Sequence, residues 1–214
     1  MKSIIFDLDG TLIKFKIKWL EVKREIIESI GNMGIEKKHF SIKDGTQHIL
    51  DKIEIFAESY KLDSMKAKEK IYRIIEKYEV EASYKAELCD GAKEVLKLLK
   101  PNLKLGLVTN NGRRAVSIVL DKHNLRDFFD VILVRENVKK LKPYPEGLER
   151  ALGLLKADPK VSFYIGDSVY DVEACRRAGL KAIAILGGIS SKEDLIKAKP
   201  DYLISSLREL TYII

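Results

Sequence analysis

The stretch IIFDLDGT, residues 4–11, decides the fold of this chain, because an apolar strand ends there in two acidic residues. Asp7 and Asp9 follow the apolar run two residues apart, and at strand spacing such residues lie on the same face. Two carboxylates at the end of a buried strand require a metal ion, a positively charged partner or raised pKa values. Ligands bind at the carboxyl ends of strands in open α/β sheets, so the stretch predicts a metal-assisted site.

The overall composition is that of a globular chain. The 214 residues are 46% hydrophobic and 33% charged, enough for one sizeable core and a small second domain. No apolar run approaches the length of a membrane span, and the chain enters its first strand without a signal-peptide pattern. Cys89 and Cys175 form no C-x-x-C motif and are typical of reduced thiols. We therefore expect a cytoplasmic protein with no membrane partner.

The formal net charge of +7 comes mostly from lysines that are spread along the chain. A basic surface can attract nucleic acid or any anionic substrate. However, the sequence contains no run of basic residues interleaved with aromatic ones, and scattered lysine with abundant glutamate and isoleucine also fits a heat-adapted surface. We therefore do not expect nucleic acid as a partner.

Residues 15–85 carry helical patterns and no strand pattern. Apolar residues recur at helical spacing in three segments, residues 19–30, 49–56 and 64–78. Each segment has one apolar face, and these faces must pack on each other to be buried. The sequence therefore predicts an inserted all-helical domain at 15–85.

From residue 86 onward, apolar runs typical of strands alternate with helical patterns. The runs lie at residues 103–108, 131–134, 161–165, 182–186 and 202–204. Asp90 is expected to cap the first helix after the insert. Continuous apolar strands that alternate with helices indicate a parallel sheet covered on both faces. We therefore predict an α/β fold, a doubly wound, Rossmann-like parallel sheet formed by residues 1–14 and 86–214.

Polar residues that could converge lie in four segments. They are Asp7 with Asp9, Thr109 with Asn110, Lys142, and Asp167 with Asp171. Three of the four segments follow predicted strands, where an open parallel sheet gathers its site. Each segment also has an ordinary structural interpretation, namely turn chemistry, a surface lysine, a helix cap or a helix-dipole contact. Their joint occurrence at element boundaries favours the functional interpretation.

The motifs DLDGT at residues 7–11, TN at 109–110, KPYP at 142–145 and GDSVYD at 166–171 resemble those of the haloacid dehalogenase-like superfamily of phosphohydrolases, in the same order. The resemblance covers the whole chain, and the insert is similar in position to the helical cap of some members. It implies hydrolysis of a phosphate ester through an aspartyl-phosphate intermediate, with Mg²⁺ as cofactor. Similarity is greatest to the phosphoglycolate phosphatase-like group, which implies a small phosphorylated metabolite as substrate.

The resemblance also implies catalytic and metal-binding roles. Asp7 is the expected nucleophile, and Asp9 is the expected general acid/base that protonates the leaving alcohol and later activates water. The Asp7 carboxylate, the Asp9 backbone carbonyl and the Asp167 carboxylate are the expected Mg²⁺ ligands. Asp171 would hold the metal directly or through water.

Three further residues are expected to bind the phosphate. Thr109 supplies a hydroxyl, Asn110 supplies an amide N–H, and Lys142 neutralises the phosphate and restrains the nucleophile's charge. Other cations could meet a carboxylate or a second phosphate, or be ordinary surface charges: Lys14, Lys16 and Arg113.

Several alternatives stay open. Asp9 argues against a dehalogenase, because halide leaves without protonation. A phosphosugar mutase of the β-phosphoglucomutase type shares every core motif, and phosphonatase chemistry would use a lysine of the cap. A basic module that binds phosphate or nucleic-acid ends is a non-catalytic alternative, although it would not need both Asp7 and Asp9. For the assembly we expect a monomer or a homodimer.

Overall fold

The computed structural model describes residues 1–14 and 16–214, so the predicted start of the insert, residue 15, lies outside the described residues. The chain divides into two units, Met1–Phe15 with Ser83–Ile214, and Lys16–Ala82. Within the described part of the chain, no helix is both long and apolar enough to cross a membrane.

The smaller unit is helical, as the periodicity predicts. It contains α1 (Trp19–Gly31), α2 (Thr46–Ala57) and most of α3 (Ser64–Lys85). Each helix buries an apolar stripe at helical spacing. The stripes include Val22, Ile26 and Ile30 of α1, Ile49, Leu50 and Ile53 of α2, and Ile71 and Ile75 of α3.

The larger unit is built on a six-stranded sheet. In chain order its strands are β1 (Ser3–Phe6), β4 (Lys104–Val108), β5 (Val131–Leu133), β6 (Phe163–Gly166), β7 (Lys181–Ile185) and β8 (Tyr202–Ile204). Their spatial order is β5-β4-β1-β6-β7-β8, and every neighbouring pair is parallel. A separate antiparallel pair of two-residue strands, β2 (Ile13–Lys14) and β3 (Glu87–Leu88), was not predicted.

Helices cover both faces of the sheet. They are α4 (Ala92–Leu99), α5 (Arg113–His123), α6 (Glu146–Leu155), α7 (Val169–Ala178), α8 (Lys192–Ala198) and the short α9 (Leu210–Ile213). Alternate residues of β1 face opposite layers, because Ile4 and Phe6 pack with α4 and α5 whereas Ile5 packs with α6 and α7. This arrangement confirms the predicted doubly wound α/β fold.

The strand order predicts a site at the carboxyl ends of the parallel strands. After β1 the chain builds β4 and β5 on one side and then crosses to build β6, β7 and β8 on the other. β1 is therefore the strand at which the order reverses. In sheets of this kind, ligands bind outside the carboxyl ends of the strands at this reversal. The loops after β1, β4 and β6 meet there.

The predicted cap of α4 is wrong. Gly91, and not Asp90, occupies the N-cap position, with a left-handed φ of 77° and no side-chain hydrogen bond to the helix. The Asp90 carboxylate instead pairs with Arg208. A glycine adopts the left-handed conformation without steric cost, which places the preceding aspartate outside the cap.

Replacing Leu96 with alanine is expected to lower the free energy of unfolding by about 2–5 kcal/mol, because Leu96 is 0% exposed in the core. Leu98, on the same helix, is 57% exposed, and its replacement by alanine should change that free energy by less than about 0.5 kcal/mol. Chemical denaturation followed by circular dichroism compares the two variants. Equal losses would contradict the described packing of α4.

Candidate active site

Asp7 is the first residue after β1 and is buried at the carboxyl edge of the sheet. Its backbone N–H donates to the Ile165 carbonyl at 2.8 Å, which continues the pairing of β1 with β6. The chain then turns through Gly10, which has a φ of 74°. Glycine reaches this conformation at no steric cost, so the turn keeps the Asp7 side chain at the strand end.

The Lys142 ammonium connects the central side chains of the site. Its Nζ atom donates to Asp7 Oδ1 at 2.7 Å, to Asp171 Oδ1 at 2.6 Å and to the Tyr164 hydroxyl at 2.6 Å. All four residues are buried. An ammonium has three N–H donors, and each has an acceptor here. The lysine therefore connects the loop before α6 to the end of β1, to β6 and to the start of α7.

Asp171 serves the helix and the site with different oxygens. Its Oδ2 accepts from Ser168 N at 2.9 Å while the Asp171 N–H donates to Ser168 Oγ at 3.2 Å, and these two bonds form a capping box at the start of α7. Its Oδ1 accepts from Lys142 Nζ and, at 3.0 Å, from the Tyr164 hydroxyl. Asp171 therefore takes part both in the cap of α7 and in the charged cluster around Lys142.

Asp167 lies in a narrow space between two glycines. A Cβ atom on Gly10 or on Gly188 would collide with the Asp167 side chain. The Ile189 backbone N–H donates to Asp167 Oδ2 at 2.5 Å. The backbone thus approaches this carboxylate from the loop after β1 and from the loop after β7, and only residues without a side chain permit it.

The three buried carboxylates form a group that can hold a metal ion. One oxygen each of Asp7, Asp167 and Asp171 lies within 4.8 Å of the others. Neighbouring and opposite ligands of an octahedral Mg²⁺ ion are roughly 2.9–4.2 Å apart, so small side-chain shifts would suffice. Hard carboxylate oxygens are also the ligands that Mg²⁺ prefers. The donor set therefore fits the expected cofactor.

Burial and neighbouring charges shift the pKa values of the side chains in this cluster. Burial raises the pKa of Asp167 from 3.8 to about 8, and the carboxylates of Asp171 and Asp7 add to the rise. Burial also raises the pKa of Asp7 to about 6, against the opposing effect of Lys142. Burial alone would lower the pKa of Lys142, but Asp171 and Asp7 outweigh it and hold that pKa above its ordinary value. One ammonium does not neutralise three carboxylates, so a second cation would relieve the cluster.

The two phosphate-binding candidates of the second motif follow β4. Thr109 is buried, and its Oγ1 accepts from the Asn111 backbone N–H at 3.2 Å. The Asn110 side chain contacts the Lys142 backbone, with Lys142 N donating to Oδ1 at 3.1 Å and Nδ2 donating to the Lys142 carbonyl at 3.3 Å. The structure therefore connects the second motif to the third through Asn110.

Other predicted residues lie outside the central cluster. Asp9 is half-buried in the turn after β1, and its carboxylate is not part of the three-acid group. The exposed cations Lys14 and Arg113 lie in β2 and at the start of α5, and Lys16 is an exposed residue of the smaller unit. Their exposure is compatible with either interpretation given above.

Tyr164 is a site residue that the motifs did not indicate. It occupies a buried position of β6, where its hydroxyl accepts from Lys142, donates to Asp171 and lies 3.2 Å from the Val108 carbonyl oxygen. A hydroxyl in the middle of an otherwise apolar strand was the available signal, because a buried tyrosine needs a hydrogen-bond partner. Gly188 was missed as well, since nothing in the sequence pairs it with Asp167.

Comparisons with known proteins identify one matching family and several proteins that are similar to this chain in sequence or structure. The family model for haloacid dehalogenase-like hydrolases matches residues 4–185. Pyrophosphatase PpaX of Bacillus mycoides (strain KBAB4) is 29% identical over 227 residues, covering 100% of this chain and 97% of that protein. The crystal structure of a hydrolase from Pseudomonas syringae has a TM-score of 0.73 at 22% identity, covering 100% of this chain and 98% of the other. That of a predicted phosphoglycolate phosphatase from Haemophilus somnus 129PT has a TM-score of 0.67 at 20% identity, covering 100% and 97%.

Without a divalent metal, the protein is expected to lose stability as the pH rises. The folded-state pKa of Asp167, about 8, lies above its ordinary value of 3.8, so the native state binds more protons than the unfolded state between these values. The contribution of Asp167 to the stability of the folded protein is therefore largest below about pH 4 and is lost as the pH rises through 8. Thermal denaturation in EDTA between pH 5 and pH 9 measures the loss.

The Asp167→Asn variant tests the cause of that pH dependence. Asparagine keeps the acceptor for the Ile189 N–H but carries no charge, so at pH 9 in EDTA it should stabilise the protein by about 1–3 kcal/mol. Asp127→Asn, at an exposed position, is the control and should follow the wild type. Parallel pH profiles for wild type and Asp167→Asn would contradict a buried carboxyl with a raised pKa.

Proposed function

Since this chain belongs to the haloacid dehalogenase-like hydrolase family, we propose that it is a Mg²⁺-dependent phosphatase that hydrolyses a small phosphorylated metabolite. The observation that carries the proposal is the buried contact of Lys142 with Asp7 and Asp171, beside the third carboxylate of Asp167. A carboxylate nucleophile, a cation for the phosphate and a set of metal ligands are thereby supplied by one cluster. Phosphoryl transfer requires such positioning and charge neutralisation.

Binding of the phosphate dianion depends on positive charge at this edge of the sheet. Asp7, Asp167 and Asp171 would hold Mg²⁺, which when bound supplies charge that offsets the carboxylates and attracts the phosphate. Lys142 adds a fixed ammonium next to the nucleophile. The Thr109 hydroxyl and the Asn110 backbone N–H are the proposed donors to the phosphate oxygens.

The first chemical step forms a bond between an Asp7 carboxylate oxygen and phosphorus and breaks the bond from phosphorus to the ester oxygen. Asp9 donates a proton to the departing oxygen, which leaves as an alcohol. In the second step Asp9, now ionised, takes a proton from water, and the water oxygen attacks the phosphorus of the Asp7 aspartyl-phosphate. Inorganic phosphate leaves, Asp7 returns to the carboxylate and Asp9 is protonated again.

For the substrate we propose a small, phosphoglycolate-like phosphate ester. A second candidate is pyrophosphate, because a relative that aligns over the whole chain is named a pyrophosphatase. The values of kcat/KM for phosphoglycolate and pyrophosphate, measured side by side with Mg²⁺, decide between them. Net release of inorganic phosphate distinguishes both hydrolytic functions from a phosphosugar mutase, which returns the phosphoryl group to a sugar.

Replacing Asp7 with asparagine is expected to reduce Mg²⁺-dependent phosphate release from p-nitrophenyl phosphate by roughly 10³-fold or more, because the amide is a poor nucleophile. The exposed variant Asp127→Asn is the matched control and should keep wild-type activity. A colorimetric phosphate assay with and without EDTA measures both. Turnover near the wild-type rate in Asp7→Asn would exclude this residue as the nucleophile.

Replacing Asp9 with asparagine is expected to act according to the leaving group. For an alkyl phosphate such as phosphoglycolate, kcat/KM should fall by roughly 10²–10⁴-fold, because the alkoxide needs a proton as it leaves. For p-nitrophenyl phosphate or pyrophosphate the loss should be much smaller, since nitrophenolate and phosphate leave more readily. The parameter kcat/KM is chosen because it reports the first step alone. Equal losses for all three substrates would refute a general-acid role.

A further inference from the structure

We propose that the Asn110 side chain is a positioning residue that fixes the backbone of Lys142, and that it is not itself a ligand of the phosphate. This inference rests on the proposed function, because it assigns Asn110 a task in presenting the Lys142 ammonium to Asp7 and the phosphate. It changes the expectation from the sequence, in which the second motif contributes only phosphate-binding donors. The Asn110 backbone N–H keeps that proposed role.

The contact has the form of a paired amide interaction. Lys142 N donates to Asn110 Oδ1 at 3.1 Å, and Asn110 Nδ2 donates to the Lys142 carbonyl at 3.3 Å. A carboxamide offers one acceptor and one donor group side by side, like a peptide group, so it can satisfy both backbone groups of a single residue. Both ends of the Asn110 carboxamide are therefore engaged by Lys142.

The loop that carries Lys142 needs such a connection. Residues 139–145 lie between β5 and α6 without belonging to a helix or strand. The Glu146 carboxylate accepts from the Lys139 and Lys140 backbone N–H groups at 2.9 Å each, and Arg177 donates to the Pro143 carbonyl at 3.2 Å. These contacts hold the loop to α6 and α7. The Asn110 pair joins it to the end of β4, beside the strand that carries the nucleophile.

Fixing the backbone matters because the Lys142 side chain is long. A lysine stem has several rotatable bonds, and holding its ammonium in one place costs conformational entropy. With the backbone held, the contacts of Nζ to Asp7, Asp171 and the Tyr164 hydroxyl have to order only the side chain. A displacement of about 1 Å at a catalytic group can reduce the rate by roughly 10²-fold.

Asn110 is itself held from the core side. Arg135 is only 2% exposed, and its guanidinium contacts the Asn110 carbonyl, with Nη1 at 3.5 Å. The Arg135 backbone N–H donates to the Asn111 carbonyl at 3.0 Å. The backbone of the segment after β4 is thus in contact with Arg135 at two successive carbonyl groups.

Hydrogen exchange of the Lys142 amide tests the contact in the intact protein with Mg²⁺ present. In Asn110→Ala, the protection factor of this amide should fall by roughly tenfold or more, because its acceptor is gone. Asn102→Ala is the matched control, since Asn102 is exposed and precedes β4 at the opposite edge of the sheet. An unprotected Lys142 amide in the wild type, or unchanged protection in Asn110→Ala, would overturn the proposal.

Kinetics on p-nitrophenyl phosphate supply the second readout. Asn110→Ala should raise KM and lower kcat/KM by roughly 10- to 100-fold, whereas a simple loss of folded enzyme would lower kcat and leave KM unchanged. Unchanged kinetics despite a loss of amide protection would refute positioning. A kinetic loss without a change in protection would instead assign Asn110 to the phosphate. A wild type without phosphatase activity would refute the proposed function, and the exchange result would still decide whether the contact exists.

Discussion

The buried contact of the Lys142 ammonium with Asp7 and Asp171 is the interaction on which the larger unit's site depends. Three carboxylates share this space with one ammonium, so the cluster is short of positive charge. Burial disfavours the charged carboxylates and raises the pKa values of Asp7 and Asp167, and the neighbouring carboxylates add to the rise. The same deficit would favour the divalent cation that we propose for this cluster and, with that cation, the phosphate group of the proposed substrate.

The side chains that hold neighbouring elements together also build the candidate site. Asp171 completes the capping box of α7 with one oxygen and binds Lys142 with the other, and the Tyr164 hydroxyl contacts both residues. Asn110 likewise joins two loops through a single carboxamide. Interactions of this kind are cooperative, because each partner is oriented by the others. The geometry of the cluster therefore depends on all the loops that meet at the carboxyl ends of the strands.

The sequence was sufficient to predict the doubly wound sheet and the helical insert, because apolar periodicity reports which faces are buried. It could not predict the β2–β3 pair, since two residues per strand are too few to show alternation. The sequence also predicted that Asp7 and Asp167 follow strands, and the carboxyl ends of parallel strands bring such side chains close together. The contact of Asn110 with Lys142 and the fit of Gly188 against Asp167 depend on loop paths that no local pattern encodes.

The central place of β1 has a consequence for how the chain is made. Its partners, β4 and β6, lie about 100 and 160 residues later in the sequence, so β1 leaves the ribosome long before either exists. At a translation rate of roughly 5–20 residues per second, this apolar strand waits about 5–20 s for its first partner. During that time it presents unpaired backbone groups to other nascent chains. Chaperone contact with β1 during that time would therefore protect the strand that leads into Asp7.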